Sequence, residues 1–251
     1  MVHNNFFCKK PYINLYEKSS YKSKIASQIL YGEKFKILLK KKNFFKVKNS
    51  YDNYIGYIKS HKYINQFKPT HKVTVLKSRI FKSPNNLIKN KSNNFLPFLS
   101  KIKILKKKKN FVMFEKNKWL NYKDIKLIGA KEKNILKILK LFLNCRYKWG
   151  GKTYDGIDCS ALIQLLYKFN NKFFPRDTID QIRCKKGFIE KKKFKRGNII
   201  FWKGHVAICV NSKNLIHAYG PKKKVLIMPI EKTIKLIKKT AKLEIKKIYS
   251  I

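Results

Sequence analysis

Acidic side chains are scarce in this chain. Its 251 residues include 13 Asp and Glu against 61 Lys and Arg, a formal net charge of +48. Such a balance raises the question of a polyanionic partner: nucleic acid, anionic lipid or wall polymer. The basic residues form no single block, however, and most are Lys rather than Arg. Lys, Asn, Ile and Phe are overused in core-type and surface-type positions alike, as A/T-rich coding would produce. The charge therefore reads as compositional drift with no specific nucleic-acid partner, although salt-dependent adhesion to polyanions follows in either case. Cysteines are few, and their number, five, is odd. No Cys-x-x-Cys or other metal-type spacing occurs, so no zinc-finger-like site is expected. Long apolar runs are missing too. The opening MVHNNFFCKKPYINLYEKSS has no uninterrupted h-region, and no run reaches membrane-spanning length. The expectation is a cytoplasmic protein without a membrane span, where thiols stay reduced. Hydrophobic residues at 44% suffice for a folded core, and the length suits two or three small domains.

Against these absences one stretch stands out, CRYKWGGKTYDGIDCSALIQLLYKFNNKFFPRDTIDQ, from Cys145 to Gln181. Leu162, Leu165, Leu166 and Phe169 fall at helical spacing and predict a helix starting near Cys159, with Asp158 as N-cap. A thiol in a helix's first turn faces unpaired N–H groups and the positive end of the dipole, so its pKa is expected to fall. The same N–H groups suit an oxyanion. Two histidines follow on short predicted strands: His205 in GHVAICV and His217 in LIHAY, with the turn residues Asn211–Asn214 between them. A cysteine at a helix start, a histidine on a strand and a polar orienter on the next strand is the logic of nucleophilic catalysis. A zinc site of Cys159, His205 and His217 is the rival, but the helix start already accounts for the thiol.

The segments YKWGG, GIDCSALIQ, FPRDT, FKRGNIIFWKGHVAI and LIHA resemble the NlpC/P-sixty family of cysteine peptidases, in that family's order and spacing, over about the last half of the chain. The resemblance implies a papain-like α+β catalytic domain over residues 131–251. It also implies cleavage of peptidoglycan stem peptides, at the bond between γ-D-glutamate and a diamino acid. Carried over by position, Cys159 is the nucleophile, His205 the base and His217 its orienter. In the branch with SH3-like domains the family implicates Tyr147, Asp158 and Ser160 in binding the substrate's free amino end. Thr178 matches a small hydroxyl near the substrate, and Trp149 either lines the groove or packs under the helix. Asp158 as a pure N-cap, and an Arg176–Asp177 ion pair that only stabilises the fold, are the structural readings. Three departures avoid the triad: Ala161 stands where Gly is usual, Asn198 where Asp is usual, and Arg146 where Pro is common. No cofactor or metal is expected, the partners are peptidoglycan-derived peptides, and the sequence does not indicate an oligomeric state.

The first half reads as strands and turns. Residues 1–66, with YGE, FKVK and YIGYI, are similar to a bacterial SH3-like barrel, and residues 70–128 form a second such barrel. The predicted architecture is two small all-β SH3-like barrels ahead of the papain-like domain. In the second barrel Ser83–Asn94 reads as a loop and Lys106–Lys109 as a turn. His61 and His71 read as solvated or structural. Glu33 and Tyr57 are candidate amine-binding residues, under the idea that the barrels restrict the enzyme to short peptides with a free amino terminus. Lys131–Leu143 is expected to be an amphipathic helix, Val225–Met228 a strand, Ile230–Lys239 a basic helix and Leu243–Ile245 a last strand. Two other functions remain open: an amidase or acyltransferase using the same Cys-His pair, and a catalytically inactive wall- or nucleic-acid-binding protein.

Strand parity adds a geometric expectation. If Val210 pairs with Leu215 across a four-residue loop, His205 and His217 fall on opposite faces of the sheet. If Val210 pairs with Asn214 across a three-residue loop, the rings become diagonal neighbours on one face, roughly 7–8 Å apart at the backbone. Catalysis predicts the second register, or a bulge of equivalent effect, with Ala207 and Ala218 leaving room for the rings.

Overall fold

The computed structural model describes residues 5–60, 63–184, 186–187 and 193–250. His61 lies outside them. The chain divides into two compact units, 1–130 and 131–251.

The first unit is built almost wholly of strands. Six of them form one antiparallel sheet, in the order Asn5–Phe7, Lys34–Lys40, Phe44–Asn49, Ile55–Lys59, Tyr12–Tyr16, Ile25–Leu30. Tyr12–Tyr16 alternates half-buried and buried residues, as a half-covered strand must. Its Ile13 and Leu15 meet Cys8, Ile29, Phe35, Val47 and Ile58 in one apolar core. The segment from His71 to Leu127 makes a three-stranded and a five-stranded sheet. Its core of Val73, Ile80, Leu96, Ile102, Val112, Phe114, Leu120 and Ile125 also takes in Tyr31, whose hydroxyl donates to Glu115 at 2.7 Å. Two local expectations fail here. Lys106–Lys108 is a strand paired with Phe111–Met113, and the reversal falls at Lys109, which takes the left-handed conformation with φ of 50°. The polar Lys91–Asn94 belongs to the strand Lys91–Pro97 against Lys77–Phe81. Backbone pairing, satisfied from outside the segment, outweighs the turn-like composition in both places.

The second unit opens with a short helix, α1 (Ile135–Leu139), which tightens into a 3-10 turn at Lys140–Phe142 instead of running the full predicted length. Then come α2 (Cys159–Phe169) and α3 (Thr178–Arg183). A five-stranded antiparallel sheet follows, ordered Lys224–Pro229, Asn214–Tyr219, His205–Cys209, Asn198–Trp202, Lys247–Ser250, with α4 (Ile230–Ala241) before its last strand. That strand lies beyond the predicted Leu243–Ile245. Every residue of α2 is buried, and the helix rests on His205–Cys209 and Asn214–Tyr219. Ile200, Trp202, Ala207, Cys209, Leu215 and Met228 join Ile230 and Ile237 of α4 in a core on the sheet. Among the described residues no helix is long and apolar enough to cross a membrane.

Candidate active site

The site is assembled around the start of α2. Asp158 is the N-cap, and its Oδ1 accepts from Ala161 N at 2.8 Å, so Cys159 enters the first turn as the sequence predicts. The loop before it doubles back tightly: a Cβ on Gly151 would come within 2.4 Å of Gly156 O, so only glycine fits. Gly150 N donates to Asp158 Oδ2 at 2.9 Å. Arg176, itself buried, grips the same carboxylate with two bonds, Nη2 to Oδ2 at 2.6 Å and Nη1 to Oδ1 at 3.0 Å. Nη1 also donates to Ser160 Oγ at 2.8 Å, and Ser160 Oγ donates to Asp158 Oδ1 at 3.1 Å. Asp158 therefore accepts five hydrogen bonds at once, two of them from Arg176. Its ion pair is made with Arg176, so this arginine's structural role reaches beyond its sequence neighbour Asp177. Gln181 of α3 ties this turn to the next segment, donating from Nε2 to Ser160 O at 3.0 Å and Pro175 O at 2.8 Å.

The histidines arrive from the sheet. Ile208 pairs with Ile216 and Cys209 with Leu215, and Val210 N donates to Asn214 O at 2.9 Å. This is the three-residue-loop register, and it puts both rings on one face. His205 Nε2 and His217 Nδ1 are 2.9 Å apart, in hydrogen-bond contact. Ala207 and Ala218 are both fully buried, but only Ala207 shares the face of the rings; Ala218, adjacent to His217 in its strand, turns its side chain to the other face. Tyr219 stacks on His217 at 4.7 Å between centroids with 11° between planes, and Trp202 faces His205 at 5.6 Å. A two-residue turn, Lys203-Gly204, precedes His205. Gly204 takes φ of 75°, the left-handed region, and its carbonyl lies 4.0 Å from Cys159 Sγ. Cys159 Sγ thus lies against the residue just before His205, and Val206 N–H, just after it, also points at the sulfur.

Burial governs the electrostatics. The Cys159 thiol is pushed up to about 12, first by desolvation and then by the Asp158 charge; the N–H groups of Val206 and Ser160 and the Arg176 cation act against this. The expected fall in thiol pKa is therefore overturned, because Cys159 is only 5% exposed and sits beside its own capping carboxylate. Burial also lowers His205 to about 4, and burial with the neighbouring His205 lowers His217 to about 3. The resting array is a thiol and two neutral imidazoles, so the sulfur needs a base to lose its proton. Alkylation of Cys159 by iodoacetamide is accordingly expected to climb steadily from pH 7 to pH 10; a plateau already reached at pH 6 would contradict it.

The fully buried His217 also links the fold to pH. Its folded-state pKa lies below the unfolded value of 6.5, so the unfolded chain takes up a proton that the native chain refuses. The resulting stability is complete above pH 6.5 and is lost as pH falls towards 3. At about 1.4 kcal/mol per pH unit, acidification to pH 5 should cost about 2 kcal/mol. Native-state hydrogen exchange of the strands His205–Cys209 and Asn214–Tyr219 measures this, and His217→Asn should remove that share of the pH dependence.

The other sequence-predicted residues divide. Tyr147 lies near Cys159 and Asp158, and burial, with the Asp158 charge, pushes its hydroxyl upward. Trp149 is 62% exposed, so it does not pack under the helix. Thr178 is the first residue of α3 and is half-buried. Glu33 and Tyr57 belong to the first unit. Glu33 is buried there, with Oε2 accepting from Leu30 N at 3.0 Å, and Tyr57 lies opposite Tyr16 and Lys46 in the sheet. The departures are accommodated: Ala161 is buried in α2, Asn198 bonds Lys195 N and Ser250 Oγ at 2.8 Å each, and Arg146 is exposed. Among the described residues no group of three or more His, Cys, Asp or Glu is gathered for a metal. The contact between His217 and Met228, and the Trp202 and Tyr219 rings that fence the histidines, were not foreseen from the sequence. Strand parity was the available signal for Tyr219, two residues beyond His217.

Residues 144–241 match the NlpC/P60 family, and residues 15–62 match the bacterial dipeptidyl-peptidase SH3 domain. Dipeptidyl-peptidase 6 of Lysinibacillus sphaericus is 31% identical over 93 residues, 36% of this chain and 33% of that protein. A γ-D-glutamyl-L-lysine dipeptidyl-peptidase of Bacillus cereus is 32% identical over 99 residues, 36% of this chain and 29% of that protein. The matches thus span about a third of these relatives' lengths. A crystal structure of an NlpC/P60 family protein from Bacillus cereus superposes with a TM-score of 0.77 at 19% identity, covering 90% of this chain and 94% of that one, which shows a shared fold.

Proposed function

We propose that this chain, whose second unit carries an NlpC-type domain of the cysteine-peptidase kind, hydrolyses peptidoglycan stem peptides at the bond between γ-D-glutamate and a diamino acid. The observation that carries the reading is the hydrogen-bonded His205–His217 pair beside a thiol at the start of α2. The names of the relatives, two of them γ-D-glutamyl-L-lysine dipeptidyl-peptidases, support the bond chosen.

In the proposed reaction His205 takes the thiol proton as Cys159 attacks the carbonyl carbon. The C–N bond breaks, the proton passes from His205 to the leaving amine, and a thioester remains on Cys159. Water, deprotonated by His205, then releases the acid. First-turn N–H groups of α2 hold the oxyanion, and a dipole end aimed at that atom needs no rearrangement. His217 keeps the His205 ring in place. Tyr147, Ser160 and Thr178 contact the substrate, and Trp149 offers an exposed aromatic surface at the rim. Asp158 acts chiefly by holding the helix start, Ser160 and Arg176, since five donors already occupy its carboxylate. Residues 71–127 are, in this reading, a second SH3-like barrel, and the free amino end of the peptide is part of what is recognised.

Mass spectrometry of purified muropeptides incubated with the protein tests the reading. Two products flanking the γ-D-glutamyl bond are expected, and free tri- and tetrapeptides should be cut better than stems still attached to muramic acid. Cleavage confined to N-acyl amides would instead identify an amidase.

A further inference from the structure

His217 has a second ring nitrogen, and the structure gives it a partner outside the triad. Nε2 of His217 lies 3.4 Å from Met228 Sδ in the buried interior. The contact follows from the sheet: His217 pairs with Leu226 and Leu215 with Met228, so Met228 is a diagonal neighbour of His217 on its own face. Tyr219, stacked on the His217 ring, restrains its rotation.

We infer that Met228 is a positioning residue that sets the tautomer of both histidines and so makes His205 a base towards Cys159. A thioether can only accept. Facing it, His217 Nε2 does best carrying the proton, N–H to sulfur. His217 Nδ1 then bears a lone pair and accepts from His205 Nε2–H across the 2.9 Å contact. His205 Nδ1 is left with its lone pair free to receive the thiol proton. In the opposite arrangement His217 Nδ1–H donates to His205, lone pairs of nitrogen and sulfur face each other at 3.4 Å, and His205 Nδ1 carries a proton that blocks it as a base. The array therefore runs in one direction, from Cys159 S–H through His205 and His217 to an acceptor that cannot donate. This rests on the reading of His205 as the base, but the tautomer itself can be measured without any substrate.

The test uses the full chain labelled with nitrogen-15 at histidine. In the wild type at pH 8, NMR shifts and couplings should show His217 protonated at Nε2 and His205 at Nε2. Met228→Leu preserves volume at modest cost in a packed core. It should shift part of the His217 population to the Nδ1–H form and lower kcat roughly tenfold, with KM changed less than twofold. Norleucine in place of methionine, which removes sulfur and little else, should do the same, and Met228→Gln, which can present an oxygen acceptor, should recover most of the loss. His217 protonated at Nδ1 in the wild type would overturn the inference. So would a folded Met228→Leu or norleucine protein with an unchanged tautomer ratio or an unchanged kcat. If no peptide is turned over by the wild type, the peptidase reading fails, while the NMR result still decides the tautomer.

Discussion

Cys159→Ala should leave the protein folded and reduce peptide cleavage by on the order of 10⁵-fold or more, as removing the nucleophile of a cooperating array does. The thiol sits at the start of a helix against a neighbouring turn, and alanine removes only its sulfur, so its loss opens little space. The readout is the rate of product formation by mass spectrometry, with circular dichroism verifying the fold. Alanine at Cys8, Cys145, Cys184 or Cys209 should keep activity. These thiols have other surroundings: Cys8 and Cys145 bond backbone carbonyls, Cys184 is exposed, and Cys209 is in the sheet core. Wild-type turnover by Cys159→Ala would end the cysteine-peptidase reading, and a comparable loss from one of the other four would move the chemistry elsewhere.

Arg176→Met should destabilise the second unit by about 3–5 kcal/mol, the usual result of removing one partner from a buried ion pair. The Arg176 side chain is 1% exposed and that of Asp158 8%, so the stranded carboxylate would gain little water. Salt should hardly change the effect, since buried charges escape screening. Asp158→Asn combined with Arg176→Met should restore much of the stability, because no lone charge is then left. A double-mutant cycle from urea unfolding reads the coupling. A coupling below about 0.5 kcal/mol, the range of exposed ion pairs, would mean the pair contributes little to the fold. Activity should fall in the double variant even where stability returns, because Ser160 and the first turn of α2 lose their tether.

Several features follow from local rules that operate within a few residues. Asp158 caps and Cys159 begins α2 because a carboxylate satisfies first-turn N–H groups and the apolar residues behind it repeat at helical spacing. The requirement on the His205–His217 hairpin followed from strand parity alone, since a shift of one residue turns every side chain to the other face. What the residues could not reveal on their own depends on groups distant in the chain. The state of the thiol is one case: a helix start favours thiolate, but burial, decided by packing against the Gly204 turn, outweighs it. Arg176 is another. Beside Asp177 in sequence, it pairs with Asp158, eighteen residues earlier, because the backbone folds that carboxylate into reach. Lys106–Lys108 and Lys91–Asn94 are strands although their composition speaks for a turn and a loop, since ladder bonds to partner strands decide. Met228 is the last case: the sequence marks it only as an apolar strand residue, and the sheet register puts its sulfur against His217. Local pattern determined the types of group at the site, and tertiary packing decided their charge states and partners, because desolvation and hydrogen bonding depend on which surfaces meet.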